Sequence, residues 1–177
     1  MLPRPGADTF DITVAHLARL WRDFNAADEC VDLVAIGSPH ASLSECRNFA
    51  NYLDGKTCHR DTKTIVTMGR DVLSQAVKEG LVARLDKAGV QIIPDICWCS
   101  ITEPIFPTSA SVVMTNSGKY SHYAKGLTGR DIRFGSLKDC ASVSCSGVAK
   151  SGLPKWLLQQ TDQALRSKTN LRKAFVD

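Results

Sequence analysis

The sequence predicts an α/β domain built on an open, mostly parallel sheet of about four or five strands, with helices on both faces. Three observations predict it. Short apolar runs close on glycine or proline, as strands buried on both faces do. Between them lie stretches with helical periodicity and helix-start signals. Strands separated by helices join through right-handed crossovers, which makes their sheet parallel.

Residues 1–10 form a Pro/Gly-rich arm without periodicity. Residues 11–27 read as an amphipathic helix with Val14, Leu17, Ala18, Trp21 and Phe24 on one face. Val31 to Gly37 (VDLVAIG) is the first strand. Ser42 and Glu45 have the spacing of a capping box, in which each residue satisfies an orphan amide at a helix start. Leu43, Cys46, Phe49, Ala50 and Leu53 then make the apolar face of that helix, and Gly55 closes it. Thr64 to Met68 is a second strand, followed by a helix from Asp71 that breaks at Gly80 and ends by Gly89. Val90 to Pro94 and Ser111 to Thr115 are the third and fourth strands, and Ile132 to Phe134 a short fifth. Ser136, with Asp139 three residues on, starts a further helix. Residues 155–166 read as a last helix anchored by Trp156, Leu157 and Leu165, before a basic tail from Ser167. The domain is expected to span residues 1–150, with residues 151–177 as an appended helix and tail.

The composition narrows the function classes. A chain of 177 residues with 44% hydrophobic and 23% charged residues has the balance of one ordinary globular domain. A net charge of +4 without a long Arg/Lys block gives no reason to expect a nucleic-acid partner. No apolar run approaches the roughly 20 residues that a bilayer requires, and no secretory layout opens the chain. A cytoplasmic, membrane-free location is therefore expected. The seven cysteines then read as reduced thiols or metal ligands rather than a disulfide framework.

In an open parallel sheet, ligands bind beyond the carboxyl ends of the strands. The residues placed there are rich in chemistry. Ser38, Pro39 and His40 follow the first strand, and Asp95, Cys97, Trp98, Cys99 and Glu103 follow the third. Asn116, Ser117, Lys119, Tyr120, His122 and Tyr123 follow the fourth, in a loop dense in donors that suits carboxylate or phosphate recognition. The opposite connections, residues 55–63 and 87–89, carry less. A loop thiolate such as Cys97 suits iron or zinc, but a cysteine is as readily a small buried hydrophobe, and both readings stay open. Cys30, Cys46, Cys58 and Cys145 are expected to pack rather than bind. No CxxC pair exists to make a closed zinc site. His40 is placed either to bind an anion or relay a proton, or simply to bond its own loop.

Four motifs, in order and spacing, resemble the aconitase X family: GSPHASLSE (37–45), DICWCSITEPIFP (95–107), MTNSGKYSHYAKGLTGR (114–130) and RFGSLKDC (133–140). The resemblance covers residues 12–147 and is nearest to the cis-3-hydroxy-L-proline dehydratase branch. It implies an aconitase-like fold, the C-terminal part of the family's large domain, and an iron-dependent hydro-lyase. The implied cofactor is a [2Fe–2S] cluster or mononuclear iron, with Cys97, Cys140 and Cys99 as metal candidates. The implied substrate is a small hydroxy acid, either cis-3-hydroxy-L-proline (giving pyrroline-2-carboxylate) or, as in archaeal relatives, a mevalonate phosphate. In this reading Asn116, Ser117, Lys119 and His122 bind the substrate carboxylate, and Ser38 and His40 serve catalysis. Family proteins are longer, with an N-terminal portion and a swivelling small domain or subunit. Those are the expected partners, and they would bring a third iron ligand and the catalytic base.

Two rivals remain. A nucleotide-dependent oxidoreductase would need a GxGxxG loop after the first strand, where this chain has GSPHAS. A truncated, non-catalytic homologue would act as a binding or assembly module.

Overall fold

The structure is a computed structural model and describes residues 4, 6–98 and 106–161. The chain divides into two compact units. One is Phe24–Ser151, and the other joins Met1–Asp23 to Gly152–Asp177.

The larger unit holds all five strands: β1 (Leu33–Ile36), β2 (Lys63–Met68), β3 (Val90–Pro94), β4 (Val112–Thr115) and β5 (Asp131–Phe134). They form one sheet in the order β3-β2-β1-β4-β5, and every neighbouring pair is parallel. The chain thus builds outward from β1 to β3, crosses back beside β1 to β4, and continues to β5. The order reverses between β1 and β4.

The helices follow their local signals. At the start of α2 (Leu43–Tyr52), Ser42 and Glu45 form the reciprocal capping box. The helical stretch between β2 and β3 is split into α3 (Arg70–Lys78) and α4 (Leu81–Lys87) by Gly80, whose φ of 69° the left-handed break requires. Ser136 and Asp139 box the start of α6 (Leu137–Ser146). One helix is a correction. The donor-rich run after β4 is not a loop but the start of α5 (Gly118–Thr128), with Ser117 as its N-cap and Gly129 as its left-handed C-cap.

The sheet has a core on each face. Val34, Ile36, Val66 and Met68 point to one face, where Phe49 and Ala50 of α2, Leu85 of α4, and Cys140 and Val143 of α6 cover them. Leu33, Ala35, Ile65 and Val113 point to the other, under Trp98, Phe106, and Tyr120 and Ala124 of α5. Trp98 is fully buried, 4.0 Å from the Tyr120 ring and 6.1 Å from the Phe106 ring. The sequence reading set Trp98 and Tyr120 among the site residues; both are core.

In the smaller unit, α1 (Val14–Asp23) buries Ala18, and Trp21 donates from Nε1 to Gly152 O at 3.1 Å. Of the expected apolar stripe, Leu17 is exposed, and Phe24 belongs to the larger unit, against Phe134. Residues 155–161 are helical with Leu157 buried; Leu165 and the basic tail lie outside the described residues. Among the described residues no helix is long and apolar enough to cross a membrane.

Candidate functional site at the carboxyl ends of β1 and β4

A reversal of strand order leaves a crevice, because the connections on its two sides leave in opposite directions. Here the reversal lies between the segments that follow β1 and β4.

The β1 side is built around Gly37. Its φ is 91°, and an added Cβ would lie 2.4 Å from Thr67 O and 2.7 Å from Ala41 N, so no side chain fits. Thr67, buried at the end of β2, holds this turn. Its Oγ1 lies 2.7 Å from Gly37 O and 2.9 Å from Pro39 O, sharing one proton, while its carbonyl accepts from Ala41 N at 2.8 Å. The Ser38–Pro39 peptide is cis. This path leaves the Ser38 hydroxyl buried with no hydrogen-bond partner among the described residues. A buried hydroxyl without a partner is costly and uncommon. His40 is exposed, and its Nδ1 would touch a Cβ placed on Gly69, at 3.6 Å.

On the β4 side, Asn116 is half-buried and donates from Nδ2 to Glu45 Oε1 at 3.2 Å. Glu45 therefore serves twice, as capping residue of α2 and as anchor for Asn116. Ser117 Oγ accepts from Tyr120 N at 3.2 Å, closing the first turn of α5. Lys119 is exposed in that turn. His122 is also exposed and stacks edge-on against Tyr123 at 4.8 Å. At about 100° per residue it sits roughly 200° around the helix from the buried Tyr120. Strand order sets Ser38, Asn116 and Ser117 at the carboxyl ends of β1 and β4, while His122 is exposed on α5.

The third contributor is the turn after β3. Asp95 has a φ of 58°, unusual for a side chain other than glycine. It is fixed from three directions. Its N–H donates to Met68 O at 2.9 Å, its Oδ1 accepts from Arg70 N at 2.9 Å, and its Oδ2 accepts from Arg70 Nε at 2.7 Å. Gly69, the N-cap of α3, has no side chain to cap with, so Asp95 does it from another strand. The Arg70 guanidinium holds the Asp95 carboxyl below the usual carboxylate range, with smaller help from the Arg70 amide and from the charge of His40. Cys97 follows, half-buried. Cys99 and Glu103 lie outside the described residues.

Of the proposed metal ligands, Cys97 and Cys140 are among the described residues and Cys99 is not. Cys140 is fully buried among aliphatic side chains, and burial drives its thiol far above the ordinary range, with Asp139 adding to the effect. Among the described residues, no three His, Cys, Asp or Glu side chains converge to hold a metal ion. The described residues alone therefore do not fit an iron or iron–sulfur centre. Of the cysteines expected to pack, Cys46 does, its thiol pushed up to about 11 by burial, whereas Cys30 is exposed.

Sequence reasoning missed Thr67, Arg70 and the second role of Glu45. All three act across strands, on partners that are 25 to 71 positions away, and only a pairing register reveals them.

The fold defines a doubly wound α/β domain whose topological switch point lies between β1 and β4. Residues 31–146 match the family model of the aconitase X third domain. The chain belongs to the aconitase X family. It is 38% identical over 156 residues to a cis-3-hydroxy-L-proline dehydratase of Hypocrea jecorina, a match that covers 87% of this chain and 26% of the relative. It is 41% identical over 143 residues to a cis-3-hydroxy-L-proline dehydratase of Pseudomonas aeruginosa, covering 80% and 25%. The crystal structure of Thermococcus kodakaraensis aconitase X in its holo-form superposes with a TM-score of 0.63 at 25% identity, over 73% of this chain and 33% of that one. The chain thus spans about a quarter of the length of the curated relatives it matches.

Proposed function

We propose that this chain is the third-domain part of a dehydratase that removes water from cis-3-hydroxy-L-proline to give pyrroline-2-carboxylate, and that it acts only with the remainder of an aconitase X body. The observation that carries the reading is the Ser38 hydroxyl, buried without a partner at the switch point, opposite Asn116 and Ser117. In this reading a polar atom of the substrate is the partner of that hydroxyl.

Elimination requires that a carboxylate be held while a hydroxyl departs and the α-proton is taken. In this proposal Asn116 and Ser117 grip the carboxylate at the N-terminus of α5, where the helix dipole favours an anion. Lys119 adds a charge from the first turn. Ser38 and His40 contact the reacting end of the substrate. Cys97 is the thiol of this chain offered to the family's iron; the other ligands and the general base come from the remainder.

The reading is tested by purifying the chain and the complementary portion of the Pseudomonas aeruginosa relative, made without its matched segment. Pyrroline-2-carboxylate formation is assayed with iron supplied. Product should form in the mixture and in neither part alone. Turnover by the chain alone would overturn the division of labour. A stable complex without turnover would favour the non-catalytic binding or assembly module.

A further inference from the structure

The two edges of the sheet are treated differently. An open strand edge offers unpaired N–H and C=O groups, which proteins cover or guard with charges, proline or bulges. The β5 edge is covered by the chain's own residues 24–27. Arg133, buried in β5, donates to Asn25 O at 2.9 Å and Ala27 O at 2.8 Å, and Phe134 N donates to Asn25 Oδ1 at 3.0 Å. The Phe24 ring meets that of Phe134 edge-on at 5.8 Å.

Among the described residues the β3 edge has no such cover. β3 ends the strand order, and among the described residues nothing pairs with its outer side. Its sequence, VQIIP, has no lysine, and its one proline comes last. Beside it runs a groove of about 480 Å³ lined by Val77, Val82, Ala83, Val90 and Ile92, with Asp86 as its one charged residue. Val77 is 57% exposed, which is high for a valine facing a groove.

We infer that this edge and groove receive an extended segment from the part of an aconitase X protein that this chain does not span, adding a sixth strand beside β3. An open edge selects a strand as its occupant, because only extended backbone satisfies a row of alternating donors and acceptors. The groove selects apolar side chains on the face of that strand turned toward Val77, Val82 and Ile92, and Asp86 selects a basic residue near one end. About three quarters of each matched dehydratase lies outside the region shared with this chain, which supplies the source. The inference rests on family membership and not on the dehydratase reading.

Amide hydrogen exchange across Val90–Ile93 tests it, in the full chain alone and with the complementary portion described above. Exchange in β3 should slow at least tenfold in the complex, and the Val77→Glu/Val82→Glu variant should bind at least tenfold more weakly with its own melting temperature kept. In a fusion of the two parts, where association is enforced, the same pair of substitutions should return β3 to fast exchange. Unchanged β3 exchange in the complex and the fusion would overturn the inference, as would a folded complementary portion that does not bind. So would protection in the chain alone accompanied by dimer in sedimentation, since a second copy would then own the edge. None of these readouts needs turnover, so a failed activity assay leaves this result standing.

Discussion

The two ends of the sheet use polar residues for opposite purposes. At the amino end, Asp32 accepts from Ser111 N at 2.8 Å, Ser111 Oγ at 2.9 Å and Val112 N at 2.9 Å, tying β1 to β4. Thr62 donates from Oγ1 to Val31 O at 2.8 Å, and His59 N to Ser144 O at 2.7 Å. Those groups are consumed in holding strands and helix α6 in place. At the carboxyl end, Thr67 and Asp95 likewise hold backbone, but Ser38 Oγ is buried with no described partner. The difference teaches where to look for function. Both ends are rich in polar residues, and among the described residues each keeps one buried hydroxyl without a hydrogen-bond partner, Thr64 Oγ1 inside β2 at the amino end and Ser38 Oγ in the turn beyond β1 at the carboxyl end.

The sharpest way to break this comparison is Gly37→Ala. A Cβ in a left-handed conformation, 2.4 Å from Thr67 O, must move the turn that presents Ser38. The expected loss is on the order of 3 kcal/mol, read by urea denaturation. A loss below about 1 kcal/mol would mean that the turn is not fixed by this contact.

Asp32→Ala tests the amino end. It removes three hydrogen bonds from a carboxylate, and a loss of about 2 kcal/mol is expected. The pH dependence has a definite sign. Burial works to raise the pKa of Asp32, but its bonds to Val112 and Ser111 outweigh it and leave the folded-state pKa lowered. Its contribution is therefore full above the unfolded value of about 4 and is lost as pH falls through the folded value. The gap between wild type and variant should close in that acid range. A gap independent of pH from 7 down to 3 would contradict the assignment.

Ser42→Ala removes the cap of α2 and should cost about 1 kcal/mol, measured by thermal melting. Because Glu45 holds both the cap and Asn116, this variant should also loosen Asn116, seen as a changed side-chain amide resonance. An unmoved resonance would show that Asn116 is held some other way.

Much of the fold was legible because its signals are local. The Ser42/Glu45 and Ser136/Asp139 spacings, the Gly80 break and the apolar runs of β1 to β4 each act within a few residues of themselves. Helix α5 was not legible, for a physical reason. Its buried face is Tyr120, Ser121 and Ala124, too short and too polar to read as an apolar stripe. The Ser121 hydroxyl survives burial by donating to Ser117 O at 2.9 Å. Its usable signals were Ser117 and Gly129, a serine N-cap and a glycine C-cap. At the site, the chain order of strands placed Ser38 and Asn116 at one end, but phase around a helix decided that His122 is exposed. The burial of Cys140 was equally hidden. Its motif neighbours suggested chemistry, while its position on α6 faces the aliphatic core.

Ser38→Ala should have the smallest effect on stability and the largest on function, and measuring both on one variant tests the central claim most directly. A hydroxyl with no protein partner contributes nothing to the fold, so urea denaturation should place the variant within about 0.5 kcal/mol of wild type, or slightly above it. In the complemented assay, the same variant should lose at least tenfold in pyrroline-2-carboxylate formation. A variant that is clearly destabilised yet keeps full turnover would contradict the account, because the Ser38 hydroxyl would then serve the fold and not a substrate.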